Sequence, residues 1–358
     1  ILKRYNFSPM SFAVGSAKVL KPKKIKIAIA GLGKMGTLHM SILNTFREVE
    51  IVALIDTNVA LYNTVKSMGI SGDFYTSLDD ACRAQAIDAV YIITPTFTHL
   101  DLIKTAIKND LHVFVEKPVT LNADQLAQLR KIKTNKIIHA GYTLLNNRIY
   151  AEVERIIKSR TYGDVTGFTG RFEHGEVFGA KQGWMFNKKL SGGGVLMNPG
   201  PHFFSLLNLF FGKPKNIKAV IKNIYSPDLD DEVSATLVYP NFSGNVFLSW
   251  SVAKRDVAQN KFEITFEKAL LKTDGQEIVI TQGKKVTKIE PSQIKPKMTS
   301  IFNLNPKANG EAYYIENRSF IDAILGDRKT VPNKLETALD IESALFETYK
   351  NCRVEVAK

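Results

Sequence analysis

The sequence predicts an α/β protein: a doubly wound parallel sheet at the N-terminal end, then a second α/β domain on an open, mainly antiparallel sheet. Three observations carry this. From Lys24 to about Tyr142, short apolar runs rich in β-branched residues alternate with helix-length stretches, the pattern of βαβ units. From Asn216 to Glu290, strand-like runs follow one another across short turns, the pattern of an antiparallel sheet. The length of 358 residues, 44% apolar and 23% charged, is enough for two domains with sizeable cores.

The elements follow in order. Ile25–Ala30 (IKIAIA) reads as a buried parallel strand that runs into Gly31-Leu32-Gly33-Lys34-Met35-Gly36 and a helix to about Phe46. A second strand, 51–55, ends at Asp56. Further strands are expected at 89–93, 112–115 and 137–140, with helices near 59–68, 98–109 and 122–133. A helix over 149–160 leads to a strand at 165–172. A loop-rich stretch with Trp184 and Gly192-Gly193-Gly194 then precedes an apolar helix over 201–211. Strands are expected at 217–224, 233–239, 245–252, 262–266, 277–281 and 285–289, and helices over about 312–325 and 335–350 close the chain. The domains are accordingly 25–145 and 146–358, with the last helices expected to pack back on the first domain. Residues 1–24, basic, free of acids and without a period, are expected to form a loosely attached arm.

Charge and cysteine content exclude several function classes. Of the formal charge of +13, seven positive residues and no acid fall within residues 1–26, so the body is only mildly basic. It carries no base-reading motif and no interleaving of aromatic and basic residues, which argues against nucleic acid. No apolar run approaches the roughly 18 residues that cross a bilayer. Two cysteines, Cys82 and Cys352, are too few for a disulfide framework and fit a reduced compartment, so a cytoplasmic location is expected. No histidine or carboxylate cluster suggests a metal.

The glycine motif meets the conditions that give it meaning. It follows a strand, opens a helix, and has an acid, Asp56, at the end of the next strand. Gly31 permits a tight turn, Gly33 lets a pyrophosphate approach the backbone, and Gly36 lets helix and strand pack closely. The helix N-terminus with Leu32, Lys34 and Met35 would face the phosphates. Asp56 would accept hydrogen bonds from ribose hydroxyls and repel a 2′-phosphate, so NAD is expected in preference to NADP. Thr94, Pro95 and His99 follow the fourth strand, where ligands bind in such sheets, although Pro95 also suits a turn and His99 a surface helix. Glu116-Lys117-Pro118 ends the next strand, placing an acid/base lysine near the nicotinamide end of the cofactor.

The combination of GLGKMG (31–36), TPTFTH (94–99), EKP (116–118), Gly141-Tyr142, YGDV (162–165) and GGGVLMNPGPH (192–202) resembles the glucose–fructose oxidoreductase / inositol dehydrogenase (Gfo/Idh/MocA) family from Ile25 to about Tyr349. The resemblance implies a Rossmann domain and a catalytic set of Lys117 and His202, with Asn198 counted beside them. It implies hydride transfer between NAD and a secondary alcohol or ketone of a sugar or nucleotide sugar. Asn198 stands where the family often has Asp, a pattern shared with members that oxidise nucleotide sugars at the 3-hydroxyl. Candidate substrate residues are Tyr142, Arg171, Trp184, Asn198 and His202; Glu116 and Lys117 are also candidate cofactor contacts. A cyclitol dehydrogenase or sugar-aldehyde reductase is the alternative within the class, and a non-catalytic NAD(H)-binding regulator the alternative outside it. The open sheet, with runs such as NVFLSWSV, is expected to expose apolar surface and to form a homodimer or homotetramer interface.

Overall fold

A computed structural model describes residues 24–179, 183–226, 228–253, 259–290, 310–326 and 333–356. The expected N-terminal arm lies, but for Lys24, outside the described residues.

Six strands, β1 (Ile25–Ala30), β2 (Val49–Ile55), β3 (Asp73–Tyr75), β4 (Ala89–Ile92), β5 (His112–Glu116) and β6 (Ile138–Gly141), form a parallel sheet in the order β3-β2-β1-β4-β5-β6. Helices α1 (Lys34–Leu43), α2 (Val59–Ser67), α3 (Leu78–Ala84), α4 (His99–Lys108) and α5 (Ala123–Leu129) connect them. β4 is buried along its whole length, and β1 at every residue but Lys26, which is why their sequences read as apolar runs rather than alternations. The strand order reverses between β1 and β4, which opens a crevice at their carboxyl ends. The sequence reading lacked β3 and α3. Both are short, and α3 is started by Ser77, whose Oγ accepts from the Asp80 N–H at 3.1 Å.

The second half contains α6 (Arg148–Ser159), β7 (Val165–Glu173), α7 (Lys188–Ser191), α8 (Gly200–Phe211), β8 (Asn216–Asn223), β9 (Glu232–Val238), β10 (Ser243–Ser249), β11 (Gln259–Phe266), β12 (Leu270–Thr273), β13 (Ile278–Gln282), β14 (Lys285–Ile289), α9 (Gly310–Leu325), α10 (Leu335–Lys350) and β15 (Cys352–Val356). The strands form one sheet in the order β14-β13-β12-β11-β7-β10-β9-β8-β15. β7 runs parallel to β10 and β8 to β15; the other pairs are antiparallel. The edge strand β15 and the short β12 were not foreseen.

Helix α8 packs on the inner face of this sheet. Phe203 stacks on Phe262 with ring centroids 4.8 Å apart, and a Cβ on Gly170 of β7 would lie 2.7 Å from the Phe203 ring. That glycine therefore sets how closely helix and sheet approach. The outer face is more polar than expected. In the NVFLSWSV run Val246, Leu248 and Trp250 are buried, while Asn245 and Phe247 face outward. Thr169, Arg171, Lys218, Ser234 and Thr236 surround them, with the Arg171 guanidinium 4.6 Å from the Phe247 ring centre. Strand alternation had placed the apolar members inward.

The last two helices bind the halves together. Phe320 and Ile321 of α9 join the core formed by Ile27, Ile29 and Phe114 of the first sheet with Leu32 and with Met40 of α1. Ala338, Ile341 and Leu345 of α10 share a core with α8 and the second sheet.

Candidate active site

The cofactor crevice starts where β1 ends. Gly31 has φ +99, and a Cβ on it would strike the Ile93 carbonyl oxygen at 2.4 Å, so the turn after β1 admits only glycine. Gly33 stands at the N-cap of α1 without a side-chain cap, leaving the first N–H groups of that helix free of side-chain acceptors. Among the described residues, no atom beyond its own chain neighbours lies within 4 Å of the position a Cβ on Gly33 would take, so the loop faces open space. The Asp56 carboxylate crosses the loop, accepting from the Leu32 N–H at 2.8 Å and the Asn58 N–H at 2.9 Å. Its remaining lone pairs are available to ribose hydroxyls. An uncapped helix end, an open approach at Gly33 and a fixed carboxylate at the second strand fit a dinucleotide. Asp56→Ala is therefore expected to narrow the preference for NAD(H) over NADP(H) in fluorescence titrations; an unchanged ratio would show that Asp56 does not read the ribose.

At the end of β5, Glu116 is 8% exposed and its Oε1 lies 3.2 Å from His39 Nε2, while Oε2 accepts from the Lys117 N–H at 3.0 Å. His39 Nδ1 lies 3.1 Å from Asn317 Oδ1 on α9. Burial works against ionisation of Glu116, but the His39 bond and nearby positive charge outweigh it and hold the carboxyl below its usual range. Lys117 points across the crevice and donates from Nζ to the Asn198 carbonyl at 2.9 Å. Burial lowers its pKa, with the Glu116 carboxylate opposing.

The opposite wall comes from the segment 192–202. Gly193 and Gly194 are required by close approach: a Cβ would meet the Tyr349 hydroxyl at 2.0 Å and the Asp230 carbonyl oxygen at 2.2 Å. Asp230, buried, accepts from the Gly194 and Leu196 N–H groups at 2.7 Å each. The chain then enters α8 with His202 in its first turn. Among the described residues, His202 Nδ1 is buried with no hydrogen-bond partner. Burial, reinforced by the positive Lys117, pushes the His202 pKa down to about 3 against the pull of Glu116. At neutral pH it is an unprotonated imidazole with a ring nitrogen to offer.

Two cavities flank this pair. One, of about 280 Å³, is lined on the crevice side by Met35, Ile93, Thr94, Glu116, Trp184 and Met197. The other, of about 270 Å³, is lined by Thr143, Phe172, His174, Glu176, Trp250 and Asn260. Lys117, Asn198, His202 and Tyr313 line both.

The structure thus brings Lys117, Asn198 and His202 together, with Met35, Thr94 and Glu116 on the crevice side. Trp184 lies on that side too, rather than against the second cavity. Three expected residues stand elsewhere. His99 is 1% exposed, and its two ring nitrogens lie 2.9 Å from the Pro118 carbonyl and 2.8 Å from the Thr94 carbonyl. It straps the two loops together. Tyr142 is fully buried and gives its hydroxyl to Glu342 at 2.9 Å. Arg171 lies on the outer face of β7 with Glu173 at 2.7 Å; its neighbour Phe172 is the residue that faces the cavity. Pro95 and Lys34 line neither cavity. The sequence reading missed His174, whose Nδ1 lies 2.9 Å from Glu176 Oε2, together with Glu176, Asn260 and Tyr313. His174 and Glu176 share the turn after β7, while Asn260 comes from β11 and Tyr313 from α9, so the group as a whole forms no motif. Among the described residues, no group of three or more His, Cys, Asp or Glu is placed to hold a metal.

Comparison with known proteins agrees with this geometry. Residues 25–142 match the model of an oxidoreductase family with an NAD-binding Rossmann fold, and residues 150–272 match the GFO/IDH/MocA C-terminal domain. The NAD(+)-dependent scyllo-inositol 2-dehydrogenase of Bacillus subtilis is 32% identical over 154 residues, which is 41% of this chain and 44% of that protein. The match thus spans less than half the length of that relative. Levoglucosan dehydrogenase, solved with NADH and levoglucosan, superposes with a TM-score of 0.79 at 17% identity over 92% of this chain and 97% of that one. An oxidoreductase from Agrobacterium radiobacter, solved with NAD+, L-tartaric acid and magnesium, gives 0.79 at 16% identity over 92% and 96%. At such identities the superpositions establish the shared fold. With both of its domains matched, the chain belongs to the Gfo/Idh/MocA family of NAD-binding oxidoreductases.

Proposed function

We propose that the protein oxidises a secondary alcohol of a neutral sugar or cyclitol, and reduces the corresponding ketone in reverse. The observation that carries this reading is the wall shared by the two cavities, which sets Lys117, Asn198 and His202 between a cofactor side and a second, ring-sized side. Bound NAD+ supplies a hydride acceptor there, and NADH a donor. Neutral His202 takes the hydroxyl proton, the Lys117 ammonium stabilises the developing alkoxide, and the Asn198 amide orients a neighbouring hydroxyl.

The second cavity favours a neutral polyol. Its volume of about 270 Å³ lies below the range of about 300–1,000 Å³ typical of drug-sized ligands. Phe172 and Trp250 offer apolar surface to a ring, and Glu176, His174, Thr143 and Asn260 offer polar atoms to hydroxyls. Among the described residues, Asn260 Oδ1 is buried without a partner, an acceptor a hydroxyl would satisfy. A nucleotide sugar, the substrate the Asn198 pattern suggests, brings a diphosphate that needs cations. Among the described lining residues there is one lysine, no arginine, and the Glu176 carboxylate. The similarity to an inositol dehydrogenase supports the same class.

NADH absorbance over a panel of inositols, aldoses and their nucleotide-diphosphate conjugates tests this. Neutral polyols are expected to exceed the conjugates in kcat/KM by at least about tenfold, the discrimination a site gains by leaving charge unpaired. A nucleotide sugar as the best substrate overturns the substrate class. No turnover in either direction favours the cofactor-binding regulator. Self-association through the outer sheet face is part of the same proposal and would rest on charge and hydrogen-bond matching, given the polar residues there. So is a cytoplasmic location; no described helix is long and apolar enough to cross a membrane.

A further inference from the structure

The two loops that carry the reacting side chains are both tied to one face of α10. Glu342, 0% exposed, accepts from the Val119 N–H, the Thr120 N–H at 2.9 Å, the Thr120 hydroxyl, and the Tyr142 hydroxyl at 2.9 Å. The chain just after Lys117-Pro118 therefore hangs on a single carboxylate. Two turns further along α10, the Tyr349 hydroxyl donates to Asp230 Oδ1 at 2.8 Å. Asp230 in turn holds the Gly194 and Leu196 N–H groups, just ahead of Asn198 and His202. A spacing of seven residues returns to the same side of a helix, about 10 Å along its axis. The loops meet at the bond from Lys117 Nζ to the Asn198 carbonyl.

Stability is a poor explanation for this arrangement. Burying a carboxylate carries a desolvation cost, and apolar side chains of similar volume generally hold two elements together as well or better. Buried acceptors aimed at backbone N–H groups provide fixed position. They determine where the loop backbone runs, and through it where the side chains two or three residues away can reach. The contacts of Gly193 and Gly194 leave no slack, since even a methyl group would collide with Tyr349 or Asp230.

We propose that α10 is a positioning element of the reaction centre: Glu342 on one loop, and the Tyr349–Asp230 pair on the other, set the separation of the Lys117 ammonium and the His202 imidazole. This rests on the assignment of Lys117 and His202 as the reacting groups.

Two variants test it. Glu342→Gln keeps the volume but offers one acceptor oxygen and turns an NH2 toward a donor. It is expected to lower kcat by about 10- to 100-fold, the scale of a displacement near 1 Å, with the Kd for NADH within about twofold. Tyr349→Phe removes one hydroxyl and is expected to cost about three- to tenfold, and it stands in if Glu342→Gln fails to fold. In a Lys117→Met background, Glu342→Gln should cost less than about twofold in residual rate, because its effect passes through the lysine. A purely structural role would instead lower Tm in both backgrounds and leave kcat unchanged. Unchanged kcat in the single variants, or the same loss with and without Lys117, overturns the proposal.

Wild-type turnover and His202→Ala test the underlying assignment separately. Should the wild type turn over no alcohol, the NADH-loaded protein labelled at lysine Cε and titrated by NMR still decides. Lys117 should titrate below ordinary lysines, and Glu342→Gln or Tyr349→Phe should move it toward them; an unmoved titration overturns the proposal without reference to activity.

Discussion

Replacing His202 by alanine is expected to lower kcat by about 10² to 10⁴, the usual effect of losing a general base, with the Kd for NADH nearly unchanged. The imidazole lines both cavities, and among the described residues its Nδ1 is buried without a hydrogen-bond partner. A base must be unprotonated to work, and burial together with the Lys117 charge ensures that His202 is so well below neutrality. The acid limb of kcat/KM should accordingly lie far below the 6.5 of an ordinary histidine. The same shift bears on stability. With a folded pKa of about 3 and an unfolded value near 6.5, the unfolded chain binds the extra proton between those limits. Stability should therefore fall as pH drops from about 6.5 toward 3, and His202→Ala should fall less steeply in chemical denaturation over that window. An unchanged rate in the alanine variant would overturn the base assignment and leave Lys117 as the next candidate.

The parts of the site legible in the sequence are those where chain neighbours do the work. The βαβ pattern, the Gly31–Gly36 turn and Asp56 form one local unit, and the parallel sheet follows from the alternation of apolar runs with helices. Lys117 and His202 could be found because each sits in a short motif, not because their contact was visible; 81 positions separate Lys117 from the Asn198 carbonyl it bonds. What stayed hidden depends on distant partners or on parity. Arg171 and Phe172 are adjacent, and a strand sends them to opposite faces, so a small doubt about register exchanged a surface arginine for a cavity wall. Tyr142 looked like a ligand residue at a strand mouth, yet Glu342, 200 positions away, claims its hydroxyl. His39 belongs to no motif, and only the fold sets it between Glu116 and Asn317. β15 forms only because the end of α10 delivers Cys352 to the edge of β8, which no local signal in five residues could show.

Replacing Lys117 by methionine is expected to be comparably damaging, about 10² to 10³ in kcat, on the scale of a lost donor to a developing oxyanion. Methionine retains the apolar stem and much of the volume, so the loss reads the ammonium. In the ground state that ammonium bonds the Asn198 carbonyl at 2.9 Å, and a substrate oxygen between Lys117 and His202 would take up further protons of the same group. Its charge also lowers the His202 pKa, so its removal should let that pKa rise and move the acid limb of the residual rate upward. Two readouts then separate the possible roles of the lysine. A loss of kcat with an upward-shifted acid limb supports a cation stabilising the alkoxide beside a histidine base. A loss of kcat with no shift in that limb would mean that the limb does not report His202, and the proton would have to pass to another group. Lys117→Arg adds a third measurement: a guanidinium keeps the charge but not the compact shape that fits between Glu116 and Asn198, so the acid limb should stay low while kcat remains depressed. Full activity in the arginine variant would show that charge suffices and that the directed bond to the Asn198 carbonyl is dispensable.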